Sequence, residues 1–202
     1  MPTDPDPPIV SLSTAAPIWD RFFRVAPLVI VGTREADGRE DLAPKHMAMP
    51  LGWQNYFGFV CSPRHATQGN AQRTGEFTVS FPRAEQFLQI SMAAGGRRPD
   101  DLKPSLAALR TRAAEKVDGV LVEGAAAWLE CDLDRVVDGF GDNTLLVGRV
   151  VAAAVAEPWL RDAELDDGDL IHDAPVLAYL DPGRFASVEQ SLSFPFPADF
   201  RR

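Results

Sequence analysis

Tyr56-Phe57-Gly58-Phe59-Val60-Cys61, followed by Ser62-Pro63-Arg64-His65-Ala66-Thr67, decides how the rest of the chain is read. The first six residues are apolar or aromatic and favour an extended strand. The serine after them is a natural helix N-cap and proline suits the first helical position, so the pair predicts a helix starting at the strand's tip. The free N–H groups and positive dipole end of such a helix face whatever lies beyond the strand. Arg64, His65 and Thr67 add a planar cation, an imidazole and a hydroxyl. That set suits a phosphate. Capping of an exposed turn by the same residues is the plain alternative, and spacing alone does not choose between the two.

Outward from this junction, residues 66–73 carry the predicted helix, Thr74-Gly75 closes it, and Glu76–Phe81 is the next strand. Upstream, residues 28–33 are almost continuously apolar, as in a strand covered on both faces. Ala36-Asp37-Gly38 is a hairpin turn and residues 42–49 return. Ile18, Phe22, Phe23 and Val25 fall at helical spacing and predict a short amphipathic helix over 15–25, ended by Pro27. Downstream, residues 83–92 and 105–114 read as helices around a Gly/Arg/Pro/Asp loop at 93–104. Residues 124–137 and 144–155 form a long hairpin, 158–169 an acidic loop, and 175–180 the final strand, followed by Asp181-Pro182-Gly183 and residues 184–188. Antiparallel turns and few helices predict a mainly β protein, a Greek-key antiparallel barrel with flanking helices. Residues 1–14, with four prolines and two aspartates, read as a mobile arm, residues 15–188 as the barrel domain, and 189–202 as a tail whose Phe194, Phe196 and Phe200 should dock.

A length of 202 residues suits one domain. A net charge of −9 and a pI of 4.8 argue against nucleic-acid or anionic membrane surfaces, which need clustered cations. No run reaches the roughly eighteen apolar residues of a membrane span, and the start lacks a basic and an apolar region, so a cytoplasmic location is expected. Cys61 and Cys131 each sit in an apolar run and read as buried free thiols. Three histidines without ligand spacing predict no metal.

The run from Ser62 to Thr67, then Asn70, then Thr74-Gly75-Glu76-Phe77-Thr78-Val79-Ser80, resembles the flavin reductase-like, FMN-binding split-barrel family. Asp37-Gly38, Asp41-Leu42-Ala43-Pro44, Leu129-Glu130-Cys131, Gly141-Asp142 and Gly148-Arg149-Val150 support it in the same order. The resemblance covers about residues 25–185 and implies FMN, a nicotinamide co-substrate (NADH or NADPH), a small-molecule substrate or acceptor, a homodimer with FMN at the subunit junction, and in some cases a partner monooxygenase. It places Ser62, Arg64, His65, Thr67 and Asn70 at the FMN phosphate, and Lys45, His46 and Met47 beside the flavin ring. Lys45 and His46 would there stabilise the charge of the reduced ring, with His46 and Asn143 as the catalytic candidates. Met47, Met49 and Trp53 are assigned to core or ring packing.

Two departures stand out. The family commonly carries Gly-Asp-His where this chain has Gly141-Asp142-Asn143, and an amide offers neither proton nor charge. The double proline usual after the second strand is replaced by Gly52-Trp53-Gln54-Asn55. The expected activity is hydride transfer from NAD(P)H through FMN to free flavin or another acceptor. An FMN enzyme acting on a small organic substrate, and an FMN carrier without turnover, stay open beside it.

Overall fold

The computed structural model describes residues 7–98, 102–162 and 166–193. Twelve strands and four helices follow in chain order: β1 (Arg24–Pro27), β2 (Val29–Arg34), β3 (Glu40–Lys45), β4 (Ala48–Pro50), β5 (Tyr56–Cys61), α1 (Ala66–Thr74), β6 (Glu76–Phe81), α2 (Phe87–Ala93), α3 (Pro104–Ala108), β7 (Thr111–Ala113), β8 (Val120–Val122), β9 (Ala127–Phe140), β10 (Asn143–Val155), α4 (Asp167–Asp173), β11 (Val176–Asp181) and β12 (Arg184–Val188). The barrel is a seven-stranded antiparallel sheet in the order β3-β2-β6-β9-β10-β5-β4. Beside it lie the three-stranded sheet β1-β11-β12 and the small pair β7-β8. The predicted mainly β, antiparallel architecture is what the chain adopts.

The sheet's two edges, β3 and β4, are consecutive in the chain and separated by only His46 and Met47. Three Cα steps span at most about 11 Å, so the sheet must curl until its edges nearly meet. A seam is left between β3 and β5, bridged where the Lys45 Nζ donates to Cys61 Sγ at 3.4 Å. The strand β3 keeps an unpaired backbone edge along that seam, with Pro44, which has no N–H, seated on it.

Alternation along β2 shows why its sequence is continuously apolar. Val29 and Val31 enter the barrel interior with Phe57, Phe59, Phe77, Val79, Cys131 and Leu146, whereas Ile30 joins an outer core with Leu42, Ile90, Val122 and Leu177. Gly148 is required by the inner core, because a Cβ there would collide with the Phe77 ring and Cys131. Cys131 is a buried free thiol, as expected, and burial pushes its pKa up to about 12. Glu130, also buried, accepts the backbone N–H groups of Glu115, Lys116 and Val117 at 2.6–3.2 Å and shapes the loop before β8.

Four local expectations are overturned. Residues 15–25 form turns and then β1, not a helix, because pairing of Arg24–Pro27 with β11 satisfies the backbone that a short helix would have left frayed. The helix expected over 105–114 stops at Ala108, and Thr111–Ala113 pairs instead with β8. The end of the acidic loop, from Asp167, is the start of α4, capped by Asp166, whose Oδ1 accepts from the Gly168 N–H at 2.6 Å. Finally, α1 covers Ala66–Thr74, in line with the expected 66–73, but Ser62 is not its N-cap and Pro63 is not its first residue. The Ser62 carbonyl and Oγ are spent on a turn, accepting from the His65 and Arg64 N–H groups, and His65 occupies the N-cap position. The expected docking of Phe194, Phe196 and Phe200 falls outside the described residues.

Candidate functional site

The seam opens into a cleft of about 420 Å³ between β3, the N-terminus of α1 and the α2–α3 segment. Four cationic side chains line it, Lys45, Arg64, Arg97 and Lys103, together with His65, against two carboxylates, Glu35 and Asp41. The carboxylates are engaged. Lys103 Nζ lies 2.7 Å from Asp41 Oδ1 with both side chains buried, and Arg97 binds Glu35 at 2.9 Å and the Glu40 carbonyl at 3.0 Å. Lys45 differs from both. It is 8 % exposed, and among the described residues its ammonium has a single hydrogen-bond partner, the Cys61 thiol. An ammonium carries three donors and is costly to bury without an acceptor or anion, so this group is prepared for a negatively charged guest.

The start of α1 points the same way. His65 makes no side-chain cap bond, and the cleft is lined by His65, Ala66 and Thr67, so the helix's first free N–H groups open into it. Thr67 is buried and its Oγ1 donates to Asp41 Oδ2 at 3.4 Å, which leaves its backbone as the cleft-facing donor. Arg64, three-quarters exposed, pairs with Asp142 at the tip of the β9–β10 hairpin.

The candidates chosen from sequence are therefore divided. Lys45, Arg64, His65 and Thr67 come together at the cleft. Asn70 does not line it; it is buried, and its Nδ2 donates to Thr33 Oγ1 at 3.2 Å, tying α1 to β2. Ser62 does not line it either, being occupied by its turn. Asn143 opens β10 opposite Phe140, next to Asp142, outside the cleft lining. His46 turns away from Lys45 into a second cleft, where it packs on Tyr179. Burial, with Arg24 and Lys45 nearby, holds its imidazole below the usual 6.5, so it is neutral at pH 7 and carries no charge for a reduced ring. Its Nε2 is 4.0 Å from an Asp181 carboxylate that Arg24 already binds, too long for a hydrogen bond. Met47, Met49 and Trp53 are not core. Met49 is 57 % and Trp53 85 % exposed, along the edge strand β4 and the turn after it. Sequence reasoning missed Asp41, Arg97 and Lys103; the only signal was the cationic content of a segment read as an edge loop.

A curled antiparallel half-barrel with a cation-lined seam defines a split-barrel protein, and the solved structures agree. Nitrilotriacetate monooxygenase component B from Bacillus cereus superposes with TM-score 0.78 over 94 % of this chain and 100 % of that one at 20 % identity. A Shewanella frigidimarina protein with a split barrel domain superposes with TM-score 0.74 over 86 % and 87 % at 16 % identity. The model of the flavin reductase like domain matches residues 24–184, and the chain belongs to that family. An uncharacterized protein of Methanothermobacter thermautotrophicus is 30 % identical over 132 residues, 62 % of this chain. The matches span 61 % and 56 % of the two curated relatives, less than two thirds of either. No helix among the described residues is long and apolar enough to cross a membrane, and no cluster of metal-ligating side chains occurs among them.

Proposed function

We propose that this chain is an FMN-binding oxidoreductase that takes hydride from NADH or NADPH and passes electrons to free flavin or another small acceptor. The observation that carries this reading is the buried Lys45 ammonium, partnered among the described residues only by a thiol, in a cleft that also receives the uncapped start of α1. FMN supplies the hydride-accepting ring when bound. Lys45, Arg64, Lys103 and the N–H groups of Ala66 and Thr67 would hold its phosphate end. The Pro44 carbonyl, on the open backbone edge of β3, would accept a hydrogen bond from the ring's polar rim. FMN fits better than a dinucleotide flavin, because the chain carries no additional adenylate-binding motif. The exposed Met47, Met49 and Trp53 beside edge strand β4 support a homodimer, since an apolar edge of this kind is normally covered. The component B neighbour suggests that the acceptor's user is a partner monooxygenase.

The absorption spectrum of the purified protein, a fluorescence titration with FMN, and anaerobic addition of NADH and NADPH in turn test the proposal. Saturable FMN binding followed by bleaching with one nicotinamide is expected, and absence of FMN binding overturns it. Asn143 in place of histidine favours a second reading, in which a small organic substrate replaces nicotinamide at the ring. FMN binding without NAD(P)H oxidation, and with substrate turnover, would select that one. Bleaching by dithionite alone would select a carrier without turnover. Sedimentation of an FMN-loaded monomer at micromolar concentration would remove the homodimer.

A further inference from the structure

On the other side of Pro44 and Ala94, which line both clefts, lies a second cleft of about 470 Å³, within the roughly 300–1,000 Å³ typical of small-molecule sites. Its walls are mostly apolar and unusually rich in rings. Phe87 from α2 and Phe185 from β12 stack with centroids 4.1 Å apart and planes 26° from parallel. His46 and Tyr179 form a second ring pair at 4.9 Å. Leu28 and Ile90 complete the apolar lining.

The polar groups in this cleft are few and underused. The guanidinium of the exposed Arg184 has no ion pair or hydrogen bond among the described residues, and no carboxylate lines the cleft to balance it. The Tyr179 oxygen accepts the Gly183 N–H at 2.9 Å, which leaves its own O–H proton without an acceptor among the described residues. His46, neutral at pH 7, adds one donor and one acceptor without charge.

We propose that this cleft is a binding site for a small planar aromatic carboxylate, its ring against the Phe87–Phe185 pair and its carboxylate on the Arg184 guanidinium. Ring walls select a planar apolar body, since aromatic pairs gain from stacked and edge contacts beyond their area. A guanidinium meets a carboxylate through two parallel N–H donors, so one arginine suffices to fix the anion's position. A cation would face Arg184 with no carboxylate in the lining, and a phosphate would find one cation where the seam cleft offers four. The site does not depend on flavin binding, although it adjoins the flavin cleft through Pro44.

Benzoate, titrated calorimetrically into the full chain with and without FMN, tests this. Saturable one-to-one binding is expected in both cases, weakened at least about ten-fold in Arg184→Gln, the scale of one lost charge-assisted pair. Phe185→Leu should weaken it as well. Both side chains are partly exposed, so the fold should survive either change, and circular dichroism checks that it does. Four results overturn the proposal: no saturable benzoate binding, benzyl alcohol binding as tightly as benzoate, unaltered benzoate affinity in Arg184→Gln, or competitive displacement of benzoate by FMN. FMN titration of the same samples reports separately on the flavin reading.

Discussion

Lys45 and His46 are neighbours in the chain, yet each belongs to a different cleft. Lys45 faces the seam, where cations, a helix start and the carboxylates of Asp41 and Glu35 converge. His46 faces rings, apolar walls and one unpaired arginine. The split falls where β3 ends: Lys45 is its last residue and His46 lies in the bend that leads to β4, so the two side chains leave the chain on different sides. A contiguous Lys-His pair read as one electrostatic unit is therefore two half-units. The seam cleft is built for charge and is held by charge, and the ring-walled cleft is built by shape and held by packing.

That contrast can be broken most severely at the buried pair of the seam. Asp41→Ala leaves Lys103 buried without its counter-ion and removes the acceptor of Thr67, so a loss of about 3–5 kcal/mol is expected in urea unfolding. Retained wild-type stability would show that the pair is not what fixes α3 against β3.

The next effect is on binding. Lys45→Met keeps the stem's packing and removes the ammonium, and should weaken FMN by about 1.5–3 kcal/mol in a fluorescence titration, the range for a hydrogen bond to a charged group. Arg64→Ala should cost less, because its guanidinium is solvated and already shared with Asp142. A larger loss at Arg64 than at Lys45 would move the phosphate out of the seam to its mouth.

On the ring-walled side, Phe87→Leu should cost about 0.5–1.5 kcal/mol of stability beyond its lost area, the value of one stacked pair, with FMN affinity unaltered. A change in FMN affinity comparable to that of Lys45→Met would mean the two clefts are one site.

The smallest effect separates the clefts by pH. His46 is held below its ordinary 6.5 in the folded state, so it contributes nothing above that value. As pH falls below 6.5 the unfolded chain takes up a proton that the native imidazole declines, and stability drops until the native value is passed. His46→Gln should flatten this part of the difference between pH 7.5 and 5.5, measured as denaturation midpoints. An unaltered slope would show that His46 is not held neutral.

Strand β5, its turn and the strand β6 were legible because their signals are local: an apolar run, an Ser-Pro break and a helix closed by Gly75 in the left-handed region. The same stretch carries the resemblance to the flavin reductase-like family. What stayed hidden depends on partners far along the chain. Arg24 and Val25 read as the end of a helix until β11 pairs with them, and Lys103 reads as loop until Asp41, across sixty-two positions of sequence, meets it in the seam. Asn70 has the residue type and spacing of a phosphate ligand, but the approach of β2 turns its amide inward to Thr33.

The sequence by itself determined the antiparallel β architecture, the strand-turn-helix unit and several of the residues that line the seam cleft, because periodicity, turn chemistry and capping act within a few residues. Tertiary structure alone decided which of those residues share a cleft. Closure of the sheet brings β3 against β5, sends Lys45 and His46 into different clefts, and leaves one buried ammonium with a thiol as its only hydrogen-bond partner among the described residues, and none of these is a property of neighbouring residues.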